Sequence, residues 1–303
     1  MNVLFDNVDF ESSSGPNALA GKLARAFTEL DVNSVSNISN SQKIDIQLSF
    51  IAASYKVAPI VQRLDGIYFN SDQDYQHLNT PICETFHAAS AVIYQSNFNK
   101  VLTEKWFGEH QNGNVIHNGT CLDLISEIKP IQHPVLDKFN GVWSCASAWR
   151  PHKRLSENVR YFLEFAPEDA CLVVAGKNPD FQVSHDRVLY AGEMPWQDLI
   201  SLFKRSTKFL HLAWLDHCPN VVIDAQASGC SVVCSAAGGT HEIVNESGLI
   251  IEEDLWDFSP VRLYNPPEMD FSRAIQSENS VNFDIAEVAK KYKSVFVDLL
   301  DNV

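Results

Sequence analysis

Short apolar runs alternate with amphipathic segments along almost all of the 303-residue chain, and this alternation restricts the fold more than any other feature. A short apolar run between turn residues reads as a strand, whereas apolar residues recurring every three or four positions read as one face of a helix. MNVLF opens as a strand and is followed by the loop Ser12 to Pro16. ALAGKLARAFTEL then puts Leu19, Leu23, Ala26, Phe27 and Leu30 on one helical face. IDIQLSFIA, APIVQRLDGIYF and AVIYQS are further strands, SNFNKVLTEKWFG is a helix capped by Ser96, and NVIHNG is another strand.

Residues 121–139 lose this rhythm and contain Pro130 and Pro134, so they read as a linker. The pattern then restarts. GVWSCASA, CLVVAGK, RVLYAGE, TKFLHLAWL, SVVCSAA and GLIIEE are strands, interleaved with the helices KRLSENVRYFLEF, PWQDLISLFKRS and PNVVIDAQASG. FDIAEVAKKYKSVFVDLL closes the chain as an amphipathic helix. Strands alternating with helices build parallel sheets covered on both faces. The expectation is an α/β protein with two Rossmann-like doubly wound domains. The first spans 1–125, a linker 126–139, the second 140–282, and the helix 283–303 packs back toward the first domain.

The formal net charge of −15 argues against a duplex nucleic-acid partner, which requires a basic footprint, and against strong association with an anionic membrane. It leaves room for a phosphate ligand, which needs only a few local cations and backbone N–H groups. The seven cysteines are odd in number, lie mostly in apolar runs and form no C-x-x-C pair, so they read as reduced core residues of a cytoplasmic protein. The opening residues lack the pattern of a signal peptide, and no apolar stretch approaches the roughly 18 residues of a membrane span. Asn118-Gly119-Thr120 matches a glycosylation sequon, idle without secretion.

In doubly wound folds ligands bind beyond the carboxyl ends of the strands, which directs attention to HLAWLDHCPNVVIDAQASGCSVVCSAAGGTHEIV, residues 211–244. A strand ends at Asp216, and His217-Cys218 form a tight loop. Pro219 suits the first turn of a helix, where its missing N–H is no loss. The amides of Asn220 and its neighbours then face the crevice, a position that favours anions. Asp224 follows with seven residues between it and Asp216. A carboxylate can accept hydrogen bonds from a vicinal diol, as in dinucleotide sites. Asp216 as a helix cap and Asp224 as a solvated helix residue is the other reading, although the apolar neighbours of Asp224 imply burial and hence a partner.

These residues resemble the donor site of the retaining family-four glycosyltransferases, which have the two-domain GT-B fold with a cleft between the domains. The family's hallmark is Glu-x7-Glu, a small-residue helix, Gly, a short strand, Gly-Gly and Glu. Here it stands as Asp216-x7-Asp224, Gly229, SVVCSAA, Gly238-Gly239 and Glu242, with both leading acids shortened to Asp. The resemblance implies that Asp216 contacts the transferred sugar and Asp224 the ribose. ASAWRPHKRL resembles the family's strand-Gly-Arg followed by Pro-x-Lys, whose Arg and Lys neutralise the donor diphosphate. Pro151-His152-Lys153 matches its second part, Ser147 stands at the Arg position, and Arg150 substitutes for it. A leaving nucleoside diphosphate gains charge in the transition state, and fixed cations stabilise it. A solvated basic helix start is the alternative for these two residues, though cations there oppose the helix dipole.

Three shorter matches belong to the same resemblance. Ser14-Gly15-Pro16 stands where the family has a Gly-rich loop near the phosphates, unless Gly15 only turns the chain. VIHNG resembles the strand-Asn-Gly that ends the first domain. YAGEMPWQDL resembles the loop that holds the nucleobase near Glu193 and Met194, and Met194 is alternatively core. The family's sugar-side His is replaced in VQRLDG by Asp65, beside Arg63, which takes that role or only forms a turn.

Asp72-Gln73-Asp74 resembles a metal-binding Asp-x-Asp, but so short a pattern arises about once by chance in such an acidic chain, and Asn70 to Gln76 reads as a polar loop. No cofactor and no metal are expected. The implied reaction is transfer of a hexose-like sugar from a nucleoside-diphosphate donor to a saccharide or other hydroxyl acceptor, with retention. Arg150, Lys153 and Asp216 are the catalytic candidates. Gly15, Ser147, Glu193, Met194, His217, Cys218, Pro219, Asn220, Asp224, Gly239 and Thr240 are the donor-binding candidates, with backbone N–H groups around Gly239 and Thr240 assisting the diphosphate. A non-catalytic nucleotide-binding protein and a nucleotide-sugar epimerase on the same fold are the alternatives.

Overall fold

Apolar runs such as CLVVA can be buried on both faces only inside a parallel sheet flanked by helices, and two such sheets form. The computed structural model describes residues 1–12, 14–36 and 43–301; Ser13, in the loop expected after the first strand, lies outside them. The chain divides into two units, Met1–Cys121 with Phe258–Pro260 and Asn282–Val303, and Leu122–Asp257 with Val261–Val281.

The first unit contains β1 (Asn2–Asp6), α1 (Gly15–Thr28), β2 (Asn33–Val35), β3 (Ile46–Phe50), β4 (Ile60–Leu64), α2 (Tyr75–Ala88), β5 (Ala91–Tyr94), α3 (Asn97–Phe107) and β6 (Gly113–Val115). Among the described residues its strands lie in the order β2-β1-β3-β4-β5-β6, all parallel. Ser96 caps α3 as its sequence indicates, its hydroxyl accepting from the Asn99 amide at 3.1 Å. The polar loop expected over 70–76 ends earlier: Tyr75 already begins α2, and the Asp74 carboxylate caps it by accepting from the His77 amide at 3.1 Å. Capping therefore accounts for one of the two acids of Asp72-Gln73-Asp74.

The second unit contains α4 (Leu122–Glu127), β7 (Gly141–Ala146), α5 (Leu155–Phe165), β8 (Ala170–Ala175), β9 (Val188–Gly192), α6 (Trp196–Arg205), β10 (Lys208–His211), α7 (Asn220–Ala227), β11 (Ser231–Ser235), β12 (Leu249–Ile251) and β13 (Ala274–Gln276). Its sheet runs β13-β12-β11-β10-β7-β8-β9, parallel except for β13, which is antiparallel to β12. Residues read as linker are tied into this unit: Ser201 donates to Lys129 O at 2.7 Å, and the Ile131 amide to Ser201 O at 2.9 Å.

The last helix, α8 (Ile285–Asp301), belongs to the first unit. It packs on α1 through Phe27, Tyr292 and Phe296, all fully buried, with ring centroids 5.9 to 6.5 Å apart. Backbone bonds between Thr120 and the Phe283–Ile285 segment bring the chain back to this unit.

Candidate active site

The strand order of the second sheet reverses at β7. From there β8 and β9 lie on one side and β10, β11 and β12 on the other. Such a reversal opens a crevice at the carboxyl ends of the two strands that flank it, because their following loops part in opposite directions. Here those strands are β7 and β10. The loop after β7 carries Ser147, Arg150 and Lys153, and the loop after β10 carries Asp216, His217, Cys218 and Pro219. The two loops meet: Lys153 Nζ lies 2.5 Å from Asp216 Oδ2, across 63 residues of sequence, and the Trp214 amide donates to His152 O at 2.7 Å.

Two glycines permit this convergence. Gly176 has φ +112° and Gly238 φ +105°, in the region that disfavours side chains. A Cβ on Gly176 would run into Ser147 O, and one on Gly238 into Asp216 O. Each glycine thus lets a neighbouring loop press against one of the two site loops. The Gly239 amide donates to Asp216 O at 2.7 Å and fixes the acid's backbone. That amide is thereby engaged inside the loop, not aimed at a diphosphate as expected from sequence. Thr240 is fully buried, and its hydroxyl makes no hydrogen bond among the described residues.

The Asp216 carboxylate has three partners in the site. Besides Lys153, its Oδ2 is 2.9 Å from His211 Nε2, and its Oδ1 accepts from the His217 amide at 3.1 Å. Burial pushes its carboxyl up, but the Lys153 charge and the His211 hydrogen bond outweigh burial and hold it well below the usual carboxylate range. The acid is therefore ionised. His211 is buried at the end of β10, and burial depresses its pKa despite the bond to Asp216. His152 is pushed down to about 3 by burial, with Lys153 acting in the same direction, and is neutral. Sequence reading passed over His211, since one His in an apolar strand carries no signal of its partner.

Helix α7 begins at Asn220 with Pro219 at its cap position, and Cys218 is buried beneath the turn. Asp224 is only 4% exposed. The partner that its apolar neighbours demanded is Trp196 at the start of α6, whose Nε1–H donates to Asp224 Oδ2 at 2.9 Å. Glu193 and Met194 lie in the turn just before Trp196, Met194 half-buried and Glu193 exposed and 2.7 Å from Lys177 Nζ. Ser147 is half-buried, its amide donating weakly to Ala175 O at 3.4 Å, and Arg150 is exposed at the entry to the Pro151–Lys153 turn.

Arg154 was not foreseen. It adopts a left-handed conformation at φ 52° between the Pro151–Lys153 turn and α5, and its guanidinium is buried. It makes a bidentate pair with Glu253 at 2.8 and 2.7 Å and donates to Pro267 O at 2.9 Å. Ser235 also donates to Glu253. This network anchors the residue next to Lys153.

Gly15 and Asp65 belong to the first unit. Gly15 is the first residue of α1, after the loop that follows β1. Asp65 follows β4 and pairs with Arg63, whose guanidinium is 1% exposed and also donates to Asn118 Oδ1 at 2.7 Å and Gln95 Oε1 at 3.2 Å. Asn118, of the VIHNG segment, thus helps hold a buried cation.

Among the described residues no group of three or more His, Cys, Asp or Glu is placed to hold a metal ion, and no helix is long and apolar enough to cross a membrane. All seven cysteines are free.

The family described as glycosyl transferases group 1 matches residues 142–259, a span containing Ser147, Arg150, Lys153, Asp216, Asp224 and Gly239. No protein of curated function matches the chain by sequence. Among solved structures, sucrose-phosphate synthase from Thermosynechococcus elongatus superposes with a TM-score of 0.71 at 12% identity, over 100% of each chain. HepE from Anabaena, in complex with UDP, gives 0.67 at 15% identity, covering 98% of this chain and 100% of its own. WaaG, a glycosyltransferase involved in lipopolysaccharide biosynthesis, gives 0.61 at 14% identity over 100% and 99%. Over residues 142–259 the chain matches the group 1 glycosyl transferases, and over its whole length it has their GT-B fold of two Rossmann-like domains.

Proposed function

We propose that the protein transfers a hexose-like sugar from a nucleoside diphosphate to the hydroxyl of a saccharide or other acceptor, with retention and without a metal. The observation that carries this reading is the Lys153–Asp216 pair at the strand reversal of the sheet that matches the family. HepE was solved with UDP and with UDP-glucose, so a uridine donor is the first to test. In the resting site Lys153 neutralises Asp216. An arriving diphosphate, carrying more charge than one carboxylate, draws Lys153 to itself, and exposed Arg150 supplies a second cation. Both then stabilise the charge that develops on the leaving diphosphate. Asp216, released from Lys153, accepts hydrogen bonds from the sugar hydroxyls. Asp224, oriented by Trp196, accepts them from the ribose. The acceptor's proton passes to the leaving phosphate, and no side chain serves as general base. The free cysteines support a reducing, cytoplasmic location.

The test is incubation with UDP-, GDP- and ADP-glucose, with and without EDTA, while nucleotide release is followed. Release with one donor, undiminished by EDTA, is expected. Binding of a nucleotide with no release from any donor would assign the protein a non-catalytic role. Interconversion of the sugar without release would make it an epimerase.

A further inference from the structure

We propose that His211 is a positioning residue that holds the shortened acid Asp216 in its working place while Lys153 is engaged by the donor diphosphate. The proposal rests on the donor-site reading above. Asp216 receives three donors: Lys153 Nζ at 2.5 Å and His211 Nε2 at 2.9 Å on Oδ2, and the His217 amide at 3.1 Å on Oδ1. An ionised carboxylate only accepts, so Nε2 of His211 carries the hydrogen. If Lys153 swings to a phosphate, His211 and the His217 amide remain, and the carboxylate keeps its orientation without its cation.

The ring is well suited to this task. His211 ends β10, where the preceding residues Phe209 and Leu210 are apolar and buried. Its imidazole stacks on Phe209 at an interplanar angle of 16°, which fixes its orientation. A donor fixed by a strand cannot follow a moving carboxylate, so the acid must have the length that meets it. Aspartate at 216 does. Glutamate, one methylene longer, carries its carboxylate past the ring by about 1.5 Å and strands a buried N–H. The imidazole and the short acid are therefore matched to each other, and neither is interchangeable alone.

That matching has a signature that a purely structural histidine lacks. His211→Phe, which preserves the stack on Phe209, and Asp216→Glu are each expected to lower kcat at least tenfold with whichever of UDP-, GDP- or ADP-glucose supports turnover. The double variant is expected to lose no more than the worse of the two single variants, because His211 acts only through the acid that it holds. His211→Gln, which retains an N–H donor, is expected to keep more activity than His211→Phe. His211→Leu serves in place of the Phe variant if that one does not fold, as judged by circular dichroism. Losses in the two single variants that multiply in the double, or a His211→Phe enzyme as active as wild type, would overturn the proposal while leaving the donor site standing. A wild-type protein that binds none of the corresponding nucleotides and turns over none of the three donors would overturn both.

Discussion

Replacing Lys153 by methionine tests the centre of the site, because the residue has two separable duties. Toward the donor it is a fixed cation. Removing one preorganised group that meets developing charge typically lowers kcat by about 10²–10³, or roughly 2.7–4 kcal/mol. Toward Asp216 it is the nearest counter-charge, at 2.5 Å with both side chains less than one-fifth exposed. The second duty fixes the sign of a pH effect. Burial alone raises the Asp216 pKa, while Lys153 and then His211 depress it below the ordinary carboxylate range. A depressed acid is ionised above its folded-state pKa and loses its charge as pH falls through that value. In the wild type this loss, and the stability the ion pair contributes, therefore lies below the usual range for aspartate. Without Lys153 burial acts against a weaker opposition, and the acid limb of kcat/KM, which reports the free enzyme, moves to higher pH. Arginine should not restore activity fully, since its wide planar head does not fit a point contact made by an ammonium. The assay is nucleotide release at saturating and at subsaturating donor from about pH 4 to 9, with circular dichroism to confirm folding. A Lys153→Met protein with kcat within threefold of wild type and an unmoved acid limb would refute both duties together.

Two further outcomes follow from the same geometry. Trp196→Phe leaves an aromatic ring, though smaller than the indole, and removes the N–H that reaches Asp224 Oδ2 at 2.9 Å; hydrogen bonds to charged groups contribute about 1.5–3 kcal/mol, so calorimetry should show UDP binding weakened at least tenfold, and an unchanged affinity would detach Asp224 from the ribose. Glu253→Ala leaves the Arg154 guanidinium buried without its carboxylate, which by the behaviour of broken buried pairs costs about 3–5 kcal/mol; a melting temperature equal to wild type would show that Pro267 O and solvent suffice.

The strand–helix alternation was legible because the strands of the two sheet centres are buried on both faces and are mostly apolar runs, although β3 and β4 also bury Gln47, Ser49, Gln62 and Arg63. What escaped lies where local sequence and tertiary need diverge. The helix Tyr75–Ala88 has the polar opening YQHLNT and Pro81 inside it, and its buried face mixes Ile82 and Phe86 with Asn79 and Thr85. No apolar period marks such a helix. The strands Asn33–Val35 and Ala274–Gln276 are three residues each and partly or wholly exposed. In the site, Lys153 and Asp216 could be singled out because each stands in a spaced pattern. Trp196 and Arg154 could not, because their partners Asp224 and Glu253 lie 28 and 99 residues away, and His211, five residues from Asp216, could not because a lone His in an apolar strand carries no sign of its bond.

This division has a physical origin. The backbone position of Asp216 is set by topology: β10 neighbours β7 at the strand reversal, Gly238 lets the following loop close on Asp216 O, and the Gly239 amide ties it there. Any acid at this position would enter the same crevice. Where its carboxylate stops is decided separately, by the donors that meet it. For both acids of the Asp-x7-Asp pattern that donor includes a ring N–H at 2.9 Å, from His211 for Asp216 and from Trp196 for Asp224. A ring nitrogen on a packed strand or helix start has little freedom to adjust, unlike a lysine. Changing acid length alone therefore moves the charge away from a fixed donor at both positions. It follows that Asp224→Glu should impair nucleotide binding, and that adding Trp196→Phe should cost little more, by the same logic that couples Asp216 to His211.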